Sequence, residues 1–173
     1  MIKIIRAPDA LPEKKEAWWS HSTPASILLD SPPQVQAWQK DFIEYLKQAE
    51  KELPREFHVI SSHRLKWDPS WNEQTQPALT RDQATWEMDA LAAAGTVAMY
   101  FDKDNRATDT FLHLGLWAPD TSEKLIVYCA ADDPKRSMVN AVCEYYDIPL
   151  TDNKKHFFDM LKKRIIDKAD HSW

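Results

Sequence analysis

A chain of 173 residues with 43% hydrophobic and 28% charged residues has the size and make-up of one globular domain, and no stretch of it reaches the roughly 20 apolar residues that a membrane-spanning helix needs. Its net charge of −5 argues against a nucleic-acid polymer as partner, because such binding depends on clustered Lys and Arg neutralising phosphates. With only two glycines, Gly95 and Gly115, neither a Walker loop nor a GxGxxG fingerprint can be written, which argues against P-loop hydrolysis and Rossmann-type NAD binding.

In chain order, Ile2 to Ile5 reads as a short strand opening an irregular, proline-bearing arm over residues 1–25, in which Trp18 and Trp19 would pin the arm to the body. The charges scattered through this arm leave no apolar core for a signal peptide, so a cytoplasmic protein is expected. The domain proper is expected over residues 26–173. Ser26 to Asp30 is a buried strand ended by Ser31-Pro32-Pro33, and apolar residues from Val35 to Ala49 recur at helical spacing, predicting a helix over 34–51. Phe57 to Ile60 is a strand, followed by a long polar loop to Leu79 that carries tryptophans and two prolines.

Thr80 or Asp82 is expected to cap a helix from Gln83 to Ala94, which Gly95 ends. A strand over Thr96 to Phe101, a polar loop over 102–106 and a short helix from Thr108 to Trp117 come next. Lys124 to Cys129 is the clearest strand of the chain. A helix over Arg136 to Tyr146, an edge strand over Ile148 to Leu150 and an amphipathic helix over His156 to Ala169 complete the order. Strands alternating with helices predict a three-layer α/β sandwich, with a mainly parallel sheet of about five strands covered on both faces. Ligands of such sheets bind beyond the carboxyl ends of the strands, which directs attention to Asp30-Ser31, the loop after Ile60, residues 102–110 and the loop after Cys129.

Several residues there suit chemistry, and each has a plainer alternative. His113 has an ordinary pKa near 6.5 that fits a general base activating water, or it is a helix residue bonded to a neighbour. Asp30 and Asp102 follow apolar strands and are placed to serve catalysis or hold a sugar hydroxyl, or they simply turn the chain. Arg64 suits a phosphate and Trp67 a stacked base; otherwise Arg64 pairs with a surface acid and Trp67 fills the space under the loop. Cys129 and Cys143 read as buried structural thiols, and the six histidines show no HxxxH or HxH spacing, so no metal site is expected.

Five segments in order carry a resemblance: Ser61-Ser-His-Arg64-Leu-Lys-Trp67-Asp68-Pro-Ser-Trp71; Gln83-Ala-Thr-Trp86-Glu87; Leu91 with Ala94-Gly95 before the third of the main strands; Phe111-Leu-His113-Leu-Gly115-Leu; and Arg136 to Asn140. Over about residues 26–150 the chain resembles the nucleoside 2-deoxyribosyltransferase family. The resemblance implies a flavodoxin-like fold, a homo-oligomer, no cofactor and a nucleoside or nucleotide as ligand. It also implies exchange or hydrolysis of an N-glycosidic bond by attack of a carboxylate on the anomeric carbon. It puts Asp109 and Thr110 against the ribose or base, and it alone suggests Glu87 and Asn140, and Asp68 beside Trp67, as substrate contacts. His113 stands where that family has its nucleophilic glutamate, Leu29-Asp30 where it has a glycine, and Ala94-Gly95 where it has Ala-Asp. Three functions remain open on the sequence: an N-glycosidic transferase or hydrolase, a noncatalytic nucleotide-binding or protein-interaction module, and a small acidic inhibitor.

Overall fold

The computed structural model describes residues 1–12, 25–31, 37–103 and 108–170. The expectations for Trp18, Trp19, Pro32, Pro33 and Arg106 fall outside the described residues. Six strands form one sheet: β1 (Ile2–Arg6), β2 (Ala25–Asp30), β3 (Phe57–Ser61), β4 (Thr96–Phe101), β5 (Leu125–Cys129) and β6 (Leu150–Thr151). The order is β1-β3-β2-β4-β5-β6 and every pairing is parallel. The strands from β3 to β6 reproduce the flavodoxin-like order 2-1-3-4-5, and β1 is added outside β3. The sheet therefore has one strand more than the expected five.

Near-continuous apolar runs are what a sheet covered on both faces requires, and the pleat sorts them. Leu28, Ile60, Val97, Met99, Leu125 and Val127 point to one face. They pack there against Ala90 and Leu91 of α2 (Pro77–Ala93), Leu114 and Ala118 of α3 (Thr108–Thr121), and Val139 and Cys143 of α4 (Arg136–Tyr145). Ile27, Leu29, Val59, Ala98, Tyr100 and Ile126 point to the other, under Trp38, Phe42 and Leu46 of α1 (Ala37–Gln48) and Phe157, Leu161 and Ile165 of α5 (Lys154–Asp170). This second core is largely aromatic: Tyr100 stacks between Trp38, at 4.9 Å, and Tyr128, at 4.3 Å.

Two helices differ from expectation by four residues or more at one end, while α1, α4, α5 and β6 differ by three residues or fewer. α2 starts at Pro77, six residues before Gln83, because Pro77 occupies the first turn, where its missing N–H costs nothing. Neither Thr80 nor Asp82 caps it; the cap position is Gln76, and Thr80 lies inside the helix with its hydroxyl donating to the Gln76 carbonyl at 2.7 Å. α3 continues past Trp117 through Pro119 to Thr121, with Thr121 returning its hydroxyl to the Trp117 carbonyl at 2.8 Å. No helix of the described residues is long and apolar enough to cross a membrane.

Candidate active site

All six strands run the same way, so their carboxyl ends share one edge. From β2 the chain passes to β3 on one side and, after α2, to β4 on the other. The strand order therefore reverses between β2 and β4, the place at which ligands of open parallel sheets bind. Asp30 is the last residue of β2 at this point, in register with Met99 of β4. Its side chain follows the pleat of Leu28 onto the face covered by α2 and α3.

Both helices begin at that edge, and their inward stripes change character along their length. In α2 the buried positions are Gln83 and Glu87, then Ala90 and Leu91. In α3 they are Thr110 and His113, then Leu114 and Ala118. The apolar half of each stripe packs on the sheet, and the polar half meets Asp30. His113 Nδ1 lies 3.0 Å from Asp30 Oδ2, and the Thr110 hydroxyl donates to Asp30 Oδ1 at 3.5 Å. Gln83 Nε2 donates to Glu87 Oε1 and to the Ser62 carbonyl, both at 2.8 Å, while its Oε1 is buried without a partner among the described residues. Asp30, Thr110, His113 and Glu87 are 2%, 1%, 5% and 7% exposed, so the cluster lies inside the fold.

A second polar network stands behind the first. Gln39 of α1 donates to the Leu29 carbonyl at 3.1 Å and to the Ser31 hydroxyl at 2.7 Å, and it accepts from the Ser61 hydroxyl at 2.5 Å. The Ser62 hydroxyl donates to the Ser31 carbonyl at 2.7 Å. These bonds satisfy the backbone where β2 and β3 leave the sheet and fix the position of Asp30.

The charges of the cluster act on one another. Burial pushes the Glu87 carboxyl up to about 7; the Gln83 bond opposes this, and the nearby Asp30 charge adds to it. For His113, burial disfavours the charged ring, but the bond to Asp30 and the charges of Asp30, Glu87 and Asp109 outweigh it and hold its pKa above the usual value. A proton donor and a proton acceptor thus sit in one buried site near neutral pH.

The remaining sequence candidates are distributed around this centre. Asp109 is exposed at the start of α3, close enough to act on His113 and Glu87 through its charge. Asp102, just after β4, acts on Tyr100 instead, on the face covered by α1 and α5. Arg64, Trp67 and Asp68 follow β3, the strand next to β2; among the described residues Arg64 Nε and Trp67 Nε1 are buried without partners, and exposed Asp68 accepts from Ser70 at 2.9 Å in a local turn. Asn140 of α4 has a buried Oδ1 without a partner among the described residues.

Gln83 and Asp133 were not singled out from the sequence. Spacing of i and i+4 to Glu87 on one helix face is the signal that would have found Gln83. Asp133, 4% exposed with Oδ2 lacking a partner among the described residues, follows β5 in the loop after Cys129. Cys129 and Cys143 are free and buried, and burial pushes them up to about 11 and 12, which makes them inert thiols. Among the described residues no group of three or more His, Cys, Asp or Glu could hold a metal ion.

The fold and this edge define an α/β protein of flavodoxin-like order whose polar cluster sits at the topological switch point. The model of the family described as nucleoside 2-deoxyribosyltransferase like matches residues 25–132, more than half of the chain, and the chain belongs to that family. The match takes in β2 to β5 and the whole Asp30–His113–Glu87 cluster, and ends before Arg136 to Asn140. A solved structure described as a conserved protein from Enterococcus faecalis V583 superposes with a TM-score of 0.51 at 10% identity, covering 82% of this chain and 99% of that one, a likeness of fold. No curated protein matches the chain.

Proposed function

We propose that this protein hydrolyses the N-glycosidic bond of a 2′-deoxynucleoside or its nucleotide, by direct attack of water. The observation that carries the reading is the Asp30–His113 pair at 3.0 Å beside a carboxyl whose pKa is about 7. An imidazole attacking the anomeric carbon would give a cationic adduct, a poor substitute for the ester that a carboxylate forms. In this reading it does different work. Held charged by Asp30, His113 is the acid that protonates the departing base. Glu87, ionised above about 7, takes a proton from water as its oxygen bonds to the anomeric carbon and the carbon–nitrogen bond breaks. This reverses the role of base expected for His113 from its ordinary pKa.

Incubation with a panel of 2′-deoxynucleosides and their 5′-monophosphates, followed by chromatography, should reveal free base from at least one member. Glu87→Gln should lower kcat/KM by about 10² to 10⁴-fold. Absence of free base from every member would refute the hydrolase.

The burial of the cluster supports a second reading, in which the site binds a nucleotide without cleaving it. Tryptophan fluorescence would then respond to a nucleotide that is never broken down.

The homo-oligomer is also proposed. Leu112 and Leu116, 59% and 52% exposed on α3, border a groove of about 480 Å³ with Asp109, Phe111 and Gly115. A second copy of this chain is the occupant we assign to it.

A further inference from the structure

Beyond β1 and β3, at the same edge of the sheet, lies an open cavity of about 390 Å³ lined in part by Arg6, Asp9, Arg64, Lys66, Trp71 and Leu79. Three cationic residues and one acid stand among the residues that line it. Among the described residues neither guanidinium nor the Lys66 ammonium has an ion-pair partner, and Arg64 Nε is buried with no acceptor. Asp9 is occupied locally: its Oδ2 accepts from the Arg6 amide at 3.4 Å, and its carbonyl accepts Trp86 Nε1 of α2 at 2.9 Å, which fixes this wall of the cavity.

A cavity with unpaired guanidinium groups and an indole at its side suits a phosphate monoester, since a planar guanidinium fork meets two phosphate oxygens at once. α2 adds to this potential: Leu79 in its first turn lines the cavity, and that turn contains no acidic residue.

The cavity is joined to the Asp30–His113–Glu87 cluster by two routes. Along the chain, Arg64 lies two residues after Ser62, whose carbonyl accepts Gln83. Along α2, Leu79, Gln83 and Glu87 follow at spacings of four on one face, so the cavity, the bridge and the acid are successive stations. β3 and β1 are the first and second strands out from β2, which places their ends about 5 and 10 Å across the sheet from Asp30.

From this placement we infer that Arg6, Arg64 and Lys66 form a phosphate subsite, and that the substrate is a nucleoside 5′-monophosphate rather than a free nucleoside. The inference rests on the reading of the cluster as a nucleoside site.

The test compares the wild-type chain with Arg6→Ala/Arg64→Ala by tryptophan fluorescence titration against a 2′-deoxynucleoside, its 5′-monophosphate and inorganic phosphate, alongside base release. The wild type should bind the monophosphate at least tenfold more tightly than the nucleoside, and in the double variant this ratio should fall to about one. Exposed Lys66→Glu, which should reduce the ratio severalfold, serves as the second variant if the double variant does not fold. Equal binding of nucleoside and monophosphate by the wild type, or a preference that survives both variants, overturns the subsite and leaves the nucleoside reading standing. Binding of neither nucleoside nor monophosphate overturns both, and a response to inorganic phosphate alone in that case marks a site for the free ion and not for a nucleotide.

Discussion

His113 illustrates how much one contact decides. On the sequence it is a histidine at a position where a glutamate is expected; in the fold it is half of a buried pair with Asp30, which with Leu29 stands where a glycine is expected. The two departures therefore meet in space, although 83 residues separate them. Each was legible as a candidate, but their pairing was not, because contact between a strand end and a helix depends on the sheet order. Glu87 carries the energetic consequence. Its folded pKa of about 7 lies above the usual 4.5, so the folded protein holds this proton more tightly than the unfolded chain. The stability from protonated Glu87 is full below pH 4.5 and is lost as pH rises to about 7, a fall of roughly 3 kcal/mol. The raised pKa of His113 acts in the same direction. Urea unfolding at pH 4.5 and pH 7.5 should show this fall in the wild type, and Glu87→Gln should lessen it.

Among the elements, strands were read from the sequence more faithfully than helix ends. Continuous apolar runs such as Leu125 to Cys129 permit little but a buried strand, and the pleat then divides their side chains between two cores. The largest differences in helix ends fall at prolines. Pro77, inside the expected loop, starts α2, while Pro119, two residues past the expected end of α3 at Trp117, falls in its last turn. A proline is a breaker only where the N–H it lacks is needed. Extending α2 back to Pro77 is what aligns Leu79, Gln83 and Glu87 on one face. On the opposite side of the sheet, Phe157 of α5 is fully buried against Trp38, Tyr100 and Tyr128. Phe157→Ala should cost about 3 to 5 kcal/mol in urea unfolding, with its cavity closed off from the site by the sheet.

At the scale of the whole molecule, alternation of strands and helices made the parallel sheet legible, but not its order. Which strands are neighbours is set by the crossovers, and only the order reveals that Asp30 stands at the switch point while Arg6 stands two strands away. The same limit applies to association. Gly115 is exposed on α3, and a methyl group added there would meet nothing within 4 Å, so nothing within the chain requires a glycine. In a helix it costs about 1 kcal/mol relative to alanine, a cost that close approach of a second copy between Leu112 and Leu116 would explain. Light scattering should show an oligomer for the wild type and a smaller species for Leu116→Asp. Gly115→Ala should stabilise the isolated fold by about 1 kcal/mol while weakening association.

The pH dependence of kcat/KM for base release tests the assignment of acid and base most directly. The wild type should give a bell-shaped profile, with an acidic limb near pH 7 from Glu87 and an alkaline limb from His113; Glu87→Gln should abolish the acidic limb, and Asp30→Asn should move the alkaline limb to lower pH. A profile that is flat through neutrality, or one unchanged in both variants, would contradict proton transfer by this cluster.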